Sequence, residues 1–318
     1  MVGKDAVRGV IAYVPTVFDE HWDIDEQKNR QNMRRLVDAR VDAIHATGGS
    51  AEFYALTFEQ HEKMCRILVE ETKGSSIGTI AGCGAHSTED AIERATIAKG
   101  CGADAALFIT PYYFATTPAE VIGFFADIAA ACPDLPLVHF NTGRSKTVLT
   151  GEDYRELEQN SSVIGVKHPS LDMWQWYDVV TKAPRLRFFS NDMLLVPSFL
   201  WGAAAVDSLV AATSPKLVIL AVKLCQTGQW EAASRVQTLI WRLSEATNCL
   251  PALGTRSGDC SIDKACVEAA GFLHAGKPKP PYLPVGDADM KTLRANTKAF
   301  DEQIEQAVVE YGSVVSGA

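Results

Sequence analysis

The segment VIGVKHPS, residues 163–170, shows the pattern on which the fold prediction rests. Four consecutive positions carry no polar side chain, and Lys167 then ends the run. Consecutive apolar residues over so short a length are typical of a parallel strand that is buried on both faces. We therefore predict a strand over Val163–Lys167 with a lysine at its C-terminal end.

Seven other short apolar runs lie on either side of this segment, with amphipathic stretches between them. The runs are Val10–Pro15, Ala43–Thr47, Ile77–Ala81, Ala105–Ile109, Leu137–Phe140, Arg187–Ser190 and Val206–Val210. The amphipathic stretches include Asp25–Ala39, Thr57–Lys73, Ser87–Lys99 and Pro118–Ala130. Successive runs start roughly 20 to 35 residues apart, the size of a βα unit. Eight such units predict an α/β fold of the closed (β/α)8 TIM barrel type.

The strand pattern stops after Pro215, and the remaining chain predicts helices. These are Leu217–Gln226, Gln229–Ser244, Ile262–Ala275 and Asp287–Tyr311. The first closes the barrel, and the others form a C-terminal helical extension. We expect residues 1–226 to form the barrel with the active site, and residues 227–318 to pack on it, because no low-complexity linker separates the two.

Composition limits the classes of partner and location. The net charge of -9 argues against a nucleic-acid-binding protein. We find neither an apolar run of membrane length nor a signal-peptide pattern at the N-terminus. The eight cysteines show no CxxC or zinc-like spacing. We expect a cytoplasmic protein with reduced thiols, no bound metal and no membrane contact.

Catalytic groups of a barrel enzyme come from the C-terminal ends of its strands, so those ends are the places to search. Lys167 is the first candidate, because a lysine partly removed from water at a buried strand end gains nucleophilic amine character. A strand-end lysine that simply points into solvent is the alternative. The segment TGGSAEF, residues 47–53, offers backbone N–H groups and the Ser50 hydroxyl to an anion, or is only a glycine turn before a helix.

Two further strand ends carry polar groups. The segment TPYYF, residues 110–114, can place one phenol inward as an acid–base group, or can supply tyrosines to a subunit interface. The segment HFNTGRSK, residues 139–146, includes Asn141 and Arg144, and the arginine suits a second anionic group of a substrate. A solvated basic loop is the alternative for that segment.

Four motifs in this order resemble the dihydrodipicolinate synthase/N-acetylneuraminate lyase family of class I aldolases. They are GGSAEFYALTFEQHE, TPYY, IGVK and the SND…P…GAAAVDSLVA stretch around residues 190–211. The likeness runs from about Val10 to Pro284. It implies that Lys167 forms a Schiff base with a pyruvate-type 2-oxo acid, without metal or organic cofactor.

The resemblance also assigns roles to other positions. It implies that Gly49 and Ser50 hold the substrate carboxylate, and that Tyr113 belongs to a proton relay, in many members across a dimer interface. We also expect the substrate to lie near Phe140, Asn141, Arg144 and Val210, although Arg144 is not a clear match to the arginine of the family's synthase branch. A homotetramer, built as a dimer of dimers, is the expected assembly.

Two positions depart from the family pattern. Most members have a tyrosine at the position of Phe140, and phenylalanine cannot shuttle a proton. The shuttle would then fall to Tyr113, Ser50, His139, a substrate group or a water. Gly49 replaces one hydroxyl residue, although GGxxEF is similar to the pattern of 5-dehydro-4-deoxyglucarate dehydratases. We therefore expect a reaction other than dihydrodipicolinate synthesis.

Aromatic residues shortly after the lysine leave the partner substrate open. Trp174, Trp176 and Tyr177 either face an aromatic aldehyde, as in hydratase-aldolases of this family, or pack a helix on the barrel.

Three hypotheses follow for the whole protein. The first is a lyase that performs aldol cleavage or condensation, hydratase-aldolase or dehydratase chemistry. The second is a 2-oxo-acid-binding or regulatory paralogue that lost turnover with the tyrosine at Phe140. The third is a metal-dependent barrel enzyme, for which the seven dispersed histidines offer no recognisable ligand spacing.

Overall fold

The computed structural model describes residues 6–248 and 259–316. Eight parallel strands form a closed barrel in which each strand pairs with its neighbour in sequence and β1 pairs with β8. They are β1 Gly9–Tyr13, β2 Ala43–Ala46, β3 Gly78–Gly82, β4 Ala105–Phe108, β5 Leu137–Phe140, β6 Val163–Lys167, β7 Arg187–Ser190 and β8 Ala205–Ser208. The predicted TIM barrel is confirmed, with β5, β6 and β7 at the predicted residues and the others shifted by one or two.

Eight helices follow the eight strands, and the described part of the C-terminal extension contains four more. The first eight are α1 Glu26–Ala39, α2 Phe58–Thr72, α3 Thr88–Cys101, α4 Pro118–Ala131, α5 Gly151–Leu157, α6 Met173–Lys182, α7 Leu195–Leu200 and α8 Pro215–Gln226. The extension contains α9 Trp230–Asn248, α10 Asp259–Ala270, α11 Asp287–Lys298 and α12 Asp301–Ser316. Thr57 and Ser87 cap α2 and α3, since their side chains accept the N–H groups of Gln60 and Asp90.

Two helix predictions in the extension were wrong. The segment Asp287–Tyr311 is two helices, because the chain turns at Ala299 and buries Phe300 between them. The helix predicted to reach Ala275 ends at Ala270, where Gly271 adopts a φ of +74°. A glycine in this left-handed region commonly terminates a helix.

Alternation along the strands decides which side chains enter the barrel. A buried cluster that includes Ile11, Ala43, Val138 and Ala205 fills the interior. Residues two positions further along each strand continue the same face toward the C-terminal end. These are Tyr13 on β1, His45 on β2, Phe140 on β5 and Asp207 on β8.

The extension shares a hydrophobic core with the barrel helices. Val218 and Leu224 of α8 belong to one buried cluster with Ile240 of α9 and Ile304 of α12. This packing agrees with an extension held against the barrel, and we keep the division after residue 226 as a proposal.

Three expectations from the sequence concern the cysteines, membrane-spanning helices and metal-binding clusters. Seven cysteines in the described ranges are free thiols, and the eighth, Cys249, lies outside those ranges. Within residues 6–248 and 259–316, no helix has both the length and the apolar character of a membrane span. The same ranges contain no group of three or more His, Cys, Asp or Glu side chains arranged to hold a metal ion.

Candidate active site

A cavity of about 250 Å³ lies at the C-terminal end of the barrel. Side chains from four strands reach it, namely Tyr13 of β1, His45 of β2, Lys167 of β6 and Asp207 of β8. The loops after β2 and β8 add Gly49, Ser50 and Val210. The structure therefore brings four predicted residues, Lys167, Gly49, Ser50 and Val210, to one cavity.

A bulge in β6 aims Lys167 into this cavity. The register between β5 and β6 shifts so that Leu137 pairs with Val163 but Val138 pairs with Gly165. Such a bulge re-aims the side chains that follow it. Gly165 fits here because a Cβ would lie 2.9 Å from the Arg187 carbonyl oxygen. The Lys167 side chain is 18% exposed, and its Nζ lies 4.6 Å from the centre of the Phe140 ring.

The Lys167 ammonium is paired with the Asp207 carboxylate. Nζ donates to Oδ2 at 2.6 Å, and His45 Nδ1 donates to the same oxygen at 3.0 Å. The Asp207 side chain is only 2% exposed. Burial by itself raises the pKa of this carboxyl, but the charge of Lys167 and then that of His45 outweigh burial and hold the pKa well below its usual value. Asp207 is thus an anion between two nitrogen donors.

The glycines after β2 differ in what surrounds them. A Cβ on Gly48 would lie 2.7 Å from the Cε1 and Nε2 atoms of His45, so glycine at this position leaves room for the imidazole. A Cβ on Gly49 would meet nothing within 4 Å, because this residue faces the open cavity. The hydroxyl of Tyr13 donates a hydrogen bond to the Ser50 carbonyl oxygen at 2.7 Å and so stabilises the turn.

Asp192 organises the turn after β8. Its carboxylate accepts the N–H groups of Leu209 and Val210 at 2.9 and 3.1 Å, and the Ser208 hydroxyl. Burial raises the pKa of Asp192 to about 6, against the effect of these hydrogen bonds. This second carboxylate of the cavity is engaged with backbone, whereas Asp207 is engaged with Lys167.

A second cavity, of about 430 Å³, adjoins the first at Gly49. Its walls are mainly aromatic and apolar, and they are formed by Phe53, Tyr54, Ile109, Tyr112, Phe140 and Tyr282. The other side chains that line it are His86, Arg144 and Cys260. Cys260 and Tyr282 come from the extension, so the C-terminal region forms part of the wall. Phe140 and Arg144, both predicted at the site, line this cavity.

The structure places the other predicted residues elsewhere. Tyr113 is 73% exposed and lies outside the lining of both cavities. Asn141 is buried, and its amide binds the Leu149 carbonyl and His168 Nδ1, so its side chain is engaged within the protein fold. His139, considered for the shuttle, is buried against Tyr154 on the outer face of β5, where burial lowers its pKa to about 3.

Of the three aromatic residues of α6, one is buried in the core and two are exposed. Trp176 is fully buried and belongs to the core cluster beneath the helices. Trp174 and Tyr177 are exposed, with ring centres 5.3 Å apart. The aromatic wall of the second cavity is therefore built from other segments than the one that the sequence suggested.

Sequence reasoning did not single out His45 or Asp207. The available signal was a titratable residue inside an otherwise apolar strand, since Ala43–Thr47 contains His45 and Val206–Val210 contains Asp207. Buried charged residues are rare unless paired, so such positions indicate a partner at a neighbouring strand end.

Comparisons with known proteins place this geometry in context. The sequence model of the dihydrodipicolinate synthetase family matches residues 6–300. The chain is similar to a 4-hydroxy-tetrahydrodipicolinate synthase of Methanopyrus kandleri, with 29% identity over 92% of this chain and 96% of the relative. A synthase of the same name from Methanothermobacter thermautotrophicus is 30% identical over 74% of this chain and 86% of its own. Among solved structures, a dihydrodipicolinate synthase has a TM-score of 0.83 at 27% identity and covers 92% of this chain and 99% of its own.

Proposed function

The chain belongs to the dihydrodipicolinate synthetase family, whose members are class I aldolase-type lyases, and from this premise we propose that it acts on a 2-oxo acid through a Schiff base on Lys167. The observation that carries the proposal is the position of Nζ, at the end of β6 in a cavity with Gly49 and Ser50. The amine condenses with the 2-oxo group. The protonated imine then withdraws electrons from C3, which permits bond cleavage or formation beyond it.

The two cavities divide the substrate between them in this proposal. The smaller cavity receives the pyruvate-type end, with its carboxylate at the turn of Gly49 and Ser50. The larger one receives the remainder of the substrate against Tyr54, Tyr112 and Tyr282, within reach of Arg144. This aromatic lining supports an apolar or planar partner group, and Arg144 supports an anionic substituent.

We further propose that the reaction differs from dihydrodipicolinate synthesis, although the curated relatives reported above carry the synthase name. Phe140 supports this distinction, because its ring packs beside the Lys167 ammonium without offering a hydroxyl. Aldol cleavage, hydratase-aldolase chemistry and dehydration all proceed from the same imine.

A panel of 2-keto-3-deoxy sugar acids and arylidene pyruvates tests the proposal. The readout is release of pyruvate, loss of the conjugated arylidene chromophore, or a product lighter by one water. We expect turnover of at least one class by the wild-type protein and none by Lys167→Met. Turnover that survives in Lys167→Met would contradict the proposal. Binding of pyruvate without turnover of any panel member would instead favour the regulatory paralogue, which the missing hydroxyl of Phe140 supports.

We also propose that the protein works as a homotetramer in the cytoplasm. Tyr113 and Phe114 support an interface near the active site, since both are exposed and their rings pack edge to face with centres 4.8 Å apart. Light scattering should give a tetramer. Tyr113→Ala should lower both the assembly size at low concentration and turnover if this residue serves a neighbouring subunit.

A further inference from the structure

The cavity holds a carboxylate that the family resemblance did not assign. Asp207 lies on β8 two residues beyond Ala205 of the interior cluster, so its side chain is on the inner face of the barrel near the C-terminal end. Its Oδ2 is 2.6 Å from Lys167 Nζ. An acid–base group must lie within hydrogen-bond reach of the proton it moves, and this distance meets that condition.

The neighbours of Lys167 on the side of Phe140 do not replace the missing tyrosine hydroxyl among the described residues. Phe140 packs its ring 4.6 Å from Nζ. Tyr113 is exposed, His139 lies behind β5, and the Tyr13 hydroxyl donates to the Ser50 carbonyl. Asp207 is the side chain that accepts a hydrogen bond directly from Lys167 Nζ, and it is therefore placed to exchange a proton with the amine.

His45 fixes the orientation of this carboxylate. An ionised carboxylate only accepts hydrogen bonds, so the contact at 3.0 Å requires a proton on Nδ1 of His45. Its Nε2 is buried without a hydrogen-bond partner among the described residues. The imidazole also occupies space that a Cβ on Gly48 would take, so the turn after β2 accommodates this ring specifically.

We infer that Asp207 is the general acid–base of the Lys167 imine, in place of the tyrosine hydroxyl that Phe140 lacks, and that His45 is its positioning residue. This inference rests on the proposed function, because it needs a 2-oxo acid at Lys167.

The proton balance closes with one carboxylate. Asp207 takes a proton from the Lys167 ammonium, and the neutral amine attacks C2 to form the C–N bond. Asp207 returns this proton to the former carbonyl oxygen. It then takes a second proton from the nitrogen and delivers it to the hydroxyl, which leaves as water while the C=N bond forms. The products are the protonated imine and the carboxylate, which remain an ion pair.

Asp207→Asn is the direct test, since asparagine keeps the shape and an acceptor oxygen but cannot carry the proton. We expect the rate of borohydride trapping with pyruvate, followed by intact-protein mass, to fall about 10²- to 10⁴-fold, the usual contribution of a general acid–base. Asp104→Asn is the matched control. Its carboxylate accepts the N–H and hydroxyl of Thr79 at 2.9 Å at the start of β3, and its trapping rate should equal that of wild type.

The outcomes separate the inference from the proposed function. No adduct in wild-type protein would refute the proposed function itself. An adduct in wild type that forms as fast in a folded Asp207→Asn variant would overturn the inference alone. Phe140→Tyr in the Asp207→Asn background should recover part of the lost rate, because it returns a hydroxyl next to Nζ.

The positioning role of His45 has its own readout. Asp207 is faced by Lys167 of β6, His45 of β2 and the carboxylate of Asp192. Removing the imidazole takes away one of the two donors that lower the pKa of Asp207, so in His45→Leu the acid limb of the trapping-rate profile should move to higher pH. His45→Gln can still donate to Oδ2 but carries no charge, so it should move the limb only part of the way back toward wild type. An identical profile in all three proteins would contradict the positioning role.

Discussion

Two lysine–carboxylate pairs with a buried carboxylate lie within residues 6–248 and 259–316, and they differ in what surrounds them. Lys167 and Asp207 meet at the barrel mouth, where the lysine lines an open cavity. Lys264 of α10 and Glu52 meet at 2.5 Å behind the turn of Gly48 and Gly49, with side chains 1% and 0% exposed. The first pair retains access for a reactant, whereas the second is closed on all sides.

The closed pair is supported by hydrogen bonds with backbone groups, whereas the open pair is supported by the His45 side chain. Lys264 Nζ donates to the Lys277 carbonyl at 3.0 Å, and the N–H of Lys279 donates to the other Glu52 oxygen at 2.7 Å. The centre of the Phe18 ring lies 4.7 Å from the Nζ atoms of Lys264 and Lys279. Burial lowers the pKa of Lys264, against the charge of Glu52. We interpret this cluster as the contact that holds the extension against the turn of Gly48 and Gly49.

Removing one partner from each pair should give the largest difference between them. In Lys264→Met, Glu52 loses its counter-ion without access to water, which typically costs about 3–5 kcal/mol in the free energy of unfolding. In Lys167→Met, Asp207 also loses its counter-ion, but it keeps the His45 hydrogen bond and lines the cavity, so we expect a smaller loss than in Lys264→Met. Urea unfolding followed by circular dichroism measures both.

The exposed pair of Lys28 and Asp25 supplies the control for this comparison. Lys28→Met should change the free energy of unfolding by about 0.5 kcal/mol at most. Equal losses for Lys264→Met and Lys167→Met would show that exposure does not separate the two pairs.

Substitution of Gly48, in the turn between the two pairs, should have an effect of intermediate size on the free energy of unfolding. Gly48→Ala places a methyl group 2.7 Å from the His45 ring, so the ring or the turn must shift, and overpacking of this kind costs about 1–3 kcal/mol. Gly49→Ala meets open space and should stay within about 0.5 kcal/mol of wild type. Thermal unfolding of the two variants compares them directly, and a larger loss for Gly49→Ala would contradict the account of the turn.

Histidines in the barrel wall extend the comparison to pH. His45 faces a carboxylate, but His168 faces the amide donor of Asn141, and burial lowers the pKa of His168 to about 4. Between pH 6.5 and 4, His168 is protonated in the unfolded chain but stays neutral in the folded chain. The stabilisation is therefore complete above pH 6.5 and is lost as the pH falls toward 4, by about 1.4 kcal/mol per pH unit.

His168→Gln isolates this contribution, because the variant has no titrating ring at that position. Its free energy of unfolding should depend less on pH between 6.5 and 5 than that of wild type, by about 2 kcal/mol over the interval. Parallel pH profiles for the two proteins would refute the assignment to His168.

Much of the fold followed from local pattern. Short apolar runs define strands because a parallel strand must be buried on both faces, and Thr57 and Ser87 mark helix starts through their own side chains. The break at Ala299 was not predictable in this way, since it depends on where Phe300 packs in the tertiary structure.

The site was predictable where a residue type carries its own chemistry at a strand end, as Lys167 does. His45 and Asp207 were missed because their roles depend on a contact across 162 residues of sequence, which only the closed barrel creates. Glu52 illustrates the same limit. The sequence shows it only as a residue in the segment before a helix, whereas in the structure it has a φ of 62° and its carboxylate pairs with Lys264.

The most direct test of the account is to find which lysine reacts. Pyruvate and borohydride are added to the wild-type protein, and the reduced adduct is located by peptide mass mapping. The account predicts the adduct on Lys167, with Lys264 unmodified because it is closed off with Glu52. A folded protein that shows no adduct, or an adduct on a lysine other than Lys167, would contradict it.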